Sequence, residues 1–170
     1  MKRPIVGVMG SGTEDRPHLA QPLGRLLARR GLNLLTGGGQ GVMASVAKAF
    51  VEEPERKGAS IGILPTIGAD HRLPPGYPNQ WIEIPVVAPL GAFDPLAPDA
   101  ATRNWINVRT SDLIIALPGS DGTLNEIALA LRMQKPLLLF GWADALPEVA
   151  DRADSLAEVE EWLTKRLSDV

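Results

Sequence analysis

The chain of 170 residues, 45% of them hydrophobic and 22% charged, has the length and composition of one compact domain rather than of two domains or a disordered chain. Its net charge of -3, without a long run of Lys or Arg, gives no electrostatic signature of nucleic-acid binding. The sequence contains no cysteine, which excludes disulfides, zinc-thiolate sites and a catalytic thiol.

The first residues, MKRPIVGVMGSG, contain a short apolar run interrupted by glycines and do not resemble a signal peptide. No apolar run approaches the roughly 20 residues that a membrane-spanning helix needs. His18 and His71 stand far apart, without a partner at metal-ligand spacing. We therefore expect a cytoplasmic protein with no membrane segment, no metal site and no nucleic-acid partner.

Short apolar segments alternate with segments of helical periodicity along the chain. In chain order, the pattern predicts strand 5–9, helix 17–30, strand 32–35, helix 42–51, strand 60–64, strand 82–87, helix 99–108, strand 113–117, helix 123–133, strand 136–140 and helix 156–167. Strands this apolar are covered on both faces. The sequence therefore predicts the α/β class, with residues 1–170 forming a single Rossmann-like domain. Its sheet is doubly wound and mostly parallel, with helices on both faces.

The helix predicted at residues 17–30 carries its own stop signal. Arg29 and Arg30 lie in its last turn, and Gly31 follows at the position where a left-handed residue commonly ends a helix. Pro22 lies inside the pattern and predicts either a kink or a later start, because proline lacks the N–H that continues the helix.

The proline-rich stretch from Thr66 to Pro98 interrupts the alternation. Loops of this length inside compact domains are usually functional. We therefore expect a long, ordered excursion around one strand, carrying side chains that select the ligand.

Three glycine clusters, GVMGSG, TGGGQG and PGSDGT, each follow a predicted strand and precede a predicted helix. In a doubly wound sheet such turns meet at one edge, where helix N-termini attract anions and glycine lets the backbone approach a phosphate. The clusters therefore predict a ligand that carries a phosphate. They match neither the dinucleotide fingerprint nor the P-loop, so NAD binding and ATP hydrolysis are not expected.

TGGGQGVM followed by PGSDGTLNE, with Arg103 and Asn104 between them, resembles the LOG (LONELY GUY) superfamily, whose members were once widely mislabelled as lysine decarboxylases. The paired motifs of that superfamily are GGGxxGxM and PGGxGTxxE, and the resemblance covers nearly the whole chain. The opening GVMGSG, the SIGILP strand and the Arg-Asn pair are closer to the short branch that includes molybdenum cofactor carrier proteins.

The resemblance implies a homodimer or homotetramer that binds a nucleotide-like phosphate ligand. LOG enzymes hydrolyse the N-glycosidic bond of a nucleoside 5'-monophosphate without a cofactor, and in such an enzyme Arg103 and Glu126 would be catalytic. The carrier proteins instead hold molybdenum cofactor. The glycine turns and the resemblance together predict a binding surface formed by Gly10, Ser11, Gly12, Gly38, Gly39, Gly41, Arg103, Asn104, Gly119, Ser120, Gly122 and Thr123.

Two features leave alternatives open for Glu126 and Arg103. Thr123 and Glu126 have the spacing of a capping box, which needs no ligand. Ala101, Trp105 and Val108 suggest a buried stripe that would leave Arg103 on a solvated face.

Ser120 and Asp121 depart from the PGG of the superfamily motif. A positive φ at Ser120 would cost on the order of 1 kcal/mol, so the turn either is strained or has another shape. A carboxylate at Asp121 would repel a phosphate unless it points away.

The glycine turns and the resemblance together leave two candidate functions. The first is a carrier or sensor of a nucleotide-like or molybdenum-cofactor-like ligand, and the second is a phosphoribohydrolase.

Overall fold

The computed structural model describes residues 3–97, 100–143 and 150–168. The elements in these residues are β1 (Ile5–Met9), α1 (Pro17–Arg29), β2 (Asn33–Thr36), α2 (Val42–Val51), β3 (Ser60–Leu64), β4 (Ile84–Val87), α3 (Arg103–Thr110), β5 (Leu113–Ala116), α4 (Asp121–Arg132), β6 (Leu137–Phe140), β7 (Asp151–Ala153) and α5 (Leu156–Leu167). The predicted alternation of strands and helices is confirmed.

The seven strands of the described residues form one sheet in the order β4-β3-β2-β1-β5-β6-β7. All six pairings are parallel, so the sheet is wholly rather than mostly parallel. The predicted Rossmann-like α/β fold is confirmed. Because β1 and β5 are neighbours whose connections leave in opposite directions, a topological switch point lies between them.

Apolar residues on β5 alternate between two cores, one on each face of the sheet. Leu113 and Ile115 pack with the core formed by α1, α2 and α5, which contains Phe50. Ile114 packs with the core under α3 and α4, which contains Ile127. This arrangement explains why the central strands are apolar at every position, as in parallel sheets covered on both faces.

Several element ends differ from the sequence predictions, most of them by one or two residues, and three differences bear on the site or the sheet edge. β7 was not predicted, because its three residues, Asp-Arg-Ala, carry no apolar pattern at the edge of the sheet. The helix predicted from residue 99 begins at Arg103 with Thr102 as its N-cap, and residue 99 itself lies outside the described residues. The helix predicted from residue 123 begins two residues earlier, at Asp121.

α1 ends at the predicted glycine. Gly31 has a φ of 69°, its N–H donates to the carbonyl of Ala28 at 2.9 Å, and the N–H of Leu32 donates to that of Leu27 at 3.2 Å. This pair of hydrogen bonds defines a Schellman motif. The helix runs from Pro17 through Pro22, so the alternative of a later start is wrong.

The end of α4 repeats this motif with a residue that fits it poorly. Gln134 has a φ of 54°, and the N–H groups of Gln134 and Lys135 donate to the carbonyls of Leu131 and Ala130 at 3.1 and 2.9 Å. A left-handed residue with a Cβ costs about 1 kcal/mol. We expect Gln134→Gly to raise the free energy of unfolding by up to about 1 kcal/mol, measured by urea denaturation. Gln134→Ala keeps the Cβ and serves as the control. Equal stability of the two variants would contradict the prediction.

The lengths of the described helices can be compared with the length that a membrane-spanning helix needs. α1, the longest helix in the described part of the chain, has 13 residues, and none of the described helices is long and apolar enough to cross a bilayer.

Candidate functional site

A cleft of about 230 Å³ opens at the carboxyl ends of β1 and β5, at the switch point of the sheet. Ligands of open α/β sheets bind at this position. Eight residues predicted for the site line the cleft: Gly10, Gly12, Arg103, Asn104, Ser120, Gly122, Thr123 and Glu126. The structure thus brings together the turns after β1 and β5 with residues of α3 and α4.

Ser11 and Gly119, also predicted for the binding surface, do not line the cleft. The Ser11 hydroxyl accepts hydrogen bonds from the N–H groups of Thr13 and Glu14, at 3.2 and 3.0 Å. Gly119 packs so closely on Thr123 that a Cβ would overlap its hydroxyl oxygen. Both residues therefore shape the two turns that border the cleft.

Gly38, Gly39 and Gly41, from the turn after β2, also lie outside the cleft lining. Gly38 and Gly41 have positive φ values of 75° and 63°, which only glycine adopts readily. The carbonyls of Gly38 and Gly39 accept hydrogen bonds from Asn79, at 2.8 Å from its N–H and 2.7 Å from its Nδ2. The second glycine turn therefore serves mainly to hold another segment of the protein.

Arg103 is the buried cation of the cleft. Its side chain lies on the inner face of α3, with only 7% of the residue exposed. Its Nε and Nη1 are buried and have no hydrogen-bond partner among the described residues. The absence of a Cβ at Gly37 makes room for the guanidinium, because a Cβ there would overlap Nη1. Buried donors are normally satisfied, so these two are available to an anionic ligand.

The stripe predicted from Ala101, Trp105 and Val108 is confirmed only at Val108 and is wrong at the other two positions. Trp105 is 49% exposed, Ala101 is exposed, and α3 instead buries Arg103, Asn104, Asn107 and Val108. Arg103 and Asn104 on this buried face line the cleft, whereas Val108 packs in the apolar core.

Glu126 lies on α4 beside this cation. Its Oε1 accepts a hydrogen bond from Asn107 Nδ2 at 2.9 Å. Burial raises the pKa of the Glu126 carboxyl, while the positive charge of Arg103 and the Asn107 hydrogen bond partly offset that effect.

The capping-box alternative is wrong, because Ser120 is the N-cap and Thr123 and Glu126 both lie inside α4. The capping box of the described chain instead joins Ser155 and Glu158 at the start of α5.

The N-terminus of α4 faces the cleft through Ser120, Gly122 and Thr123. Ser120 has a φ of -100°, so the strain considered for this position is absent. No side chain of the described residues caps this end, which leaves its first N–H groups available to an anion. Asp121 is exposed and does not line the cleft, so its carboxylate points away.

Asn104 connects the two helices that border the cleft. Its Nδ2 donates to Asn125 Oδ1 at 3.1 Å and to the carbonyl of Gly122 at 3.4 Å. This amide therefore fixes the start of α4 relative to Arg103.

Sequence reasoning missed seven cleft residues: Val8, Met9, Gly37, Met43, Tyr77, Ala92 and Phe93. Gly37 had a signal, since it opens the TGGGQG cluster. Tyr77, Ala92 and Phe93 belong to the irregular stretch between β3 and α3, where no periodicity indicates which side chains turn inward. In the described residues, no cluster of His, Asp and Glu could hold a metal ion.

Gly122 offers a direct probe of the ligand space. A Cβ on this residue would meet no atom within 4 Å, and Gly122 lines the cleft in the first turn of α4. We expect Gly122→Ala to raise the free energy of unfolding by up to about 0.5 kcal/mol, because alanine favours the helix. It should also weaken binding of a phosphate ligand, because the methyl group enters the cleft. Urea denaturation and titration calorimetry measure the two effects.

Gly91 supplies the matched control, since a Cβ there also meets open space and the residue does not line the cleft. Gly91→Ala is expected to leave binding unchanged. If Gly122→Ala bound ligand as tightly as the parent protein, the ligand would not reach the start of α4.

The fold and the site together define a class: a Rossmann-like α/β protein whose switch-point cleft combines a buried arginine with an uncapped helix N-terminus. The chain belongs to the SLOG cluster4 family, whose family model matches residues 3–164.

Solved structures and a sequence relative agree with this assignment. The chain is 30% identical to the molybdenum cofactor carrier protein of Chlamydomonas reinhardtii, covering 98% of this chain and 99% of the other, with a TM-score of 0.75. It is 34% identical to the molybdenum cofactor binding protein of the phototrophic bacterium Rippkaea orientalis, covering 99% and 86%, with a TM-score of 0.63. An uncharacterised protein of Archaeoglobus fulgidus is 31% identical over 137 residues, 79% of this chain and 78% of that protein. The resemblance indicated by the glycine motifs is confirmed.

Proposed function

We propose that the protein is a carrier that binds a molybdenum-cofactor-like ligand, a pterin bearing a phosphate, in the switch-point cleft. One observation carries the proposal: Arg103 is buried in the cleft floor with Nε and Nη1 unbonded among the described residues. Keeping two charged donors buried without hydrogen bonds is costly, and an anionic ligand removes that cost. The similarity to two proteins described as carrying or binding molybdenum cofactor supports a pterin phosphate as that anion.

The residues of the cleft fit the phosphate end of such a ligand. Arg103 would bind it through two N–H groups, and the start of α4 would add main-chain donors near Gly122 and Thr123. The chain has no cysteine to form a thiolate bond to molybdenum. A cargo held through its phosphate would remain releasable, which suits a carrier.

Retention of molybdenum tests the proposal. The protein is incubated anaerobically with molybdenum cofactor released from a denatured molybdenum enzyme and is then separated from free cofactor by gel filtration. We expect molybdenum to elute with the protein, to be displaced by excess pterin phosphate, and not to be retained when molybdate alone is supplied. Elution of all molybdenum with the small molecules would overturn the proposal.

A second candidate, a phosphoribohydrolase acting on nucleoside 5'-monophosphates, is favoured by the position of Glu126 beside Arg103 in the same cleft. In that reaction a carboxylate stabilises the positive charge that develops on the sugar. Burial raises the pKa of Glu126, a shift that suits a general acid as well as a buried carboxyl held by Asn107. The similarity to the two proteins described as carrying or binding molybdenum cofactor therefore favours binding over hydrolysis.

Incubation with AMP and N6-substituted AMPs, followed by mass spectrometry, decides between the two candidates. Free base and ribose 5-phosphate formed by the parent protein but not by Glu126→Gln would establish hydrolysis. The homodimer or homotetramer implied by the resemblance stays a prediction, which light scattering can check.

A further inference from the structure

The segment at residues 76–79 is fixed to the turn after β2 from both sides. Gln40 Nε2 donates to the carbonyl of Gly76 at 2.9 Å. Asn79, only 4% exposed, donates through its N–H and its Nδ2 to the carbonyls of Gly38 and Gly39. Three hydrogen bonds thus hold a loop that has no regular secondary structure of its own.

These bonds place Tyr77 against the glycine turn. A Cβ on Gly39 would lie 2.6 Å from the Tyr77 hydroxyl oxygen and 2.8 Å from Met43 Cε, so a side chain at this position would displace both. Tyr77 is half-buried and lines the cleft. Glycine at position 39 is therefore explained by the tyrosine that packs on it.

The same turn brings Tyr77 close to the buried cation. Gly37 makes room for the Arg103 guanidinium and Gly39 for the Tyr77 hydroxyl. Two residues span at most about 7 Å, so one small ligand reaches both side chains. Arg103 offers charged donors, whereas Tyr77 offers an aromatic surface on which a planar ring can stack.

We propose that Tyr77 is a specificity-determining residue whose ring packs against the planar heterocycle of a ligand whose phosphate is bound at Arg103. This inference rests on the proposed function and extends it, because it selects ligands that join a heterocycle to a phosphate over ring-free phosphates. Gln40 and Asn79 act as positioning residues for that ring.

The chain contains a single tyrosine, so protein labelled with ¹³C-tyrosine gives one set of ring signals in an NMR spectrum. The protein is titrated with a pterin monophosphate, with AMP and with inorganic pyrophosphate. We expect the ring-bearing ligands to shift the Tyr77 signals through their ring currents and pyrophosphate to leave them nearly unchanged. Binding of the pterin monophosphate without a shift of these signals would overturn the inference.

Two variants give an independent readout by titration calorimetry, with thermal unfolding confirming that each is folded. Tyr77→Leu is expected to bind the pterin monophosphate about tenfold more weakly, as stacking on an aromatic side chain commonly contributes. Its affinity for pyrophosphate should not change. Tyr77→Phe keeps the ring and should bind like the parent protein. Equal affinity of Tyr77→Leu and the parent protein for the pterin monophosphate would overturn the inference.

The molybdenum-retention and NMR experiments together distinguish failure of the proposed function from failure of this inference. If the protein retains no molybdenum while AMP shifts the Tyr77 signals, the carrier role is wrong and the stacking role stands. If no ring-bearing ligand shifts the signals at millimolar concentration, the stacking role is wrong whatever the molybdenum measurement gives.

Discussion

Replacing Arg103 with methionine is expected to weaken binding of pterin phosphate, AMP and pyrophosphate alike, by at least about 30-fold. Losing one partner of a buried, charge-assisted contact typically costs 2 kcal/mol or more. The guanidinium is the buried cation that lines the cleft beside the start of α4, and its Nε and Nη1 lack partners among the described residues. Titration calorimetry of the three ligands against parent and variant measures the effect.

The loss of binding should occur without a comparable loss of stability. Methionine has a similar shape, and removing a buried, unbonded cation offsets the lost attraction to Glu126. We expect the free energy of unfolding without ligand to change by no more than about 1 kcal/mol.

Arg103→Lys keeps the charge but not the planar pair of donors, so its affinity should lie between those of the parent and Arg103→Met. Arg109→Met, on an exposed position of the same helix, is the control and should bind normally. Parent-like affinity in Arg103→Met would place the anion elsewhere.

The sheet could be predicted from sequence because β5 and β6 are apolar at every position and α1 and α2 carry regular apolar stripes. β1, α2 and β3 have the predicted boundaries, and Gly31 ends α1 by the predicted motif. These features depend on patterns within a few consecutive residues, which can be identified directly in the sequence.

The alternatives that placed Arg103 on a solvated face of α3 and Glu126 in a capping box of α4 failed because those helices border a cleft. A periodicity argument assumes that the buried face is apolar, so it assigned Trp105 inward and Arg103 outward, the reverse of the structure. The capping-box spacing of Thr123 and Glu126 is equally local, whereas the N-cap position falls on Ser120, whose side chain makes no capping hydrogen bond. Polar residues that face a binding site break the rules that identify a core.

The glycine clusters show a further limit of prediction from sequence. The sequence treats the three turns alike, whereas the turn after β2 contributes Gly37 to the cleft and uses Gly38 and Gly39 to hold Asn79. That contact joins residues 40 positions apart and depends on the path of an irregular loop. No pattern within the TGGGQG cluster contains this information.

Replacing Glu126 with glutamine is expected to stabilise the ligand-free protein at neutral pH, by about 1–3 kcal/mol. The folded protein keeps the Glu126 proton at pH values where an unfolded glutamate, with a pKa of 4.5, has lost it. The folded state therefore binds more protons than the unfolded state, and the stability that this group contributes falls as the pH rises from 4.5 through the folded pKa. Glutamine does not titrate, so this decline disappears.

Glutamine also suits the contacts of the carboxyl group. Its oxygen can accept the hydrogen bond that Asn107 Nδ2 donates to Glu126. Its amide N–H adds a donor near Asn107 Oδ1, which is buried without a partner among the residues described. Keeping the first hydrogen bond and supplying a donor on the side of Asn107 Oδ1 both favour the variant over a charged carboxylate.

Urea denaturation of parent and Glu126→Gln between pH 4.5 and 8 measures the effect. The two stability curves should nearly coincide at the acid end and separate as the pH rises, with the variant more stable. Glu161→Gln, at an exposed position of α5, controls for the removal of one negative charge, and its stability should depend on pH as that of the parent does.

In an Arg103→Met background the difference in stability between proteins with and without Glu126→Gln should grow, because Arg103 provides the largest effect that lowers the Glu126 pKa. A variant that loses stability relative to the parent as the pH rises would mean that Glu126 is held as a stabilised carboxylate, and it would restore the hydrolase as the better account of the cleft.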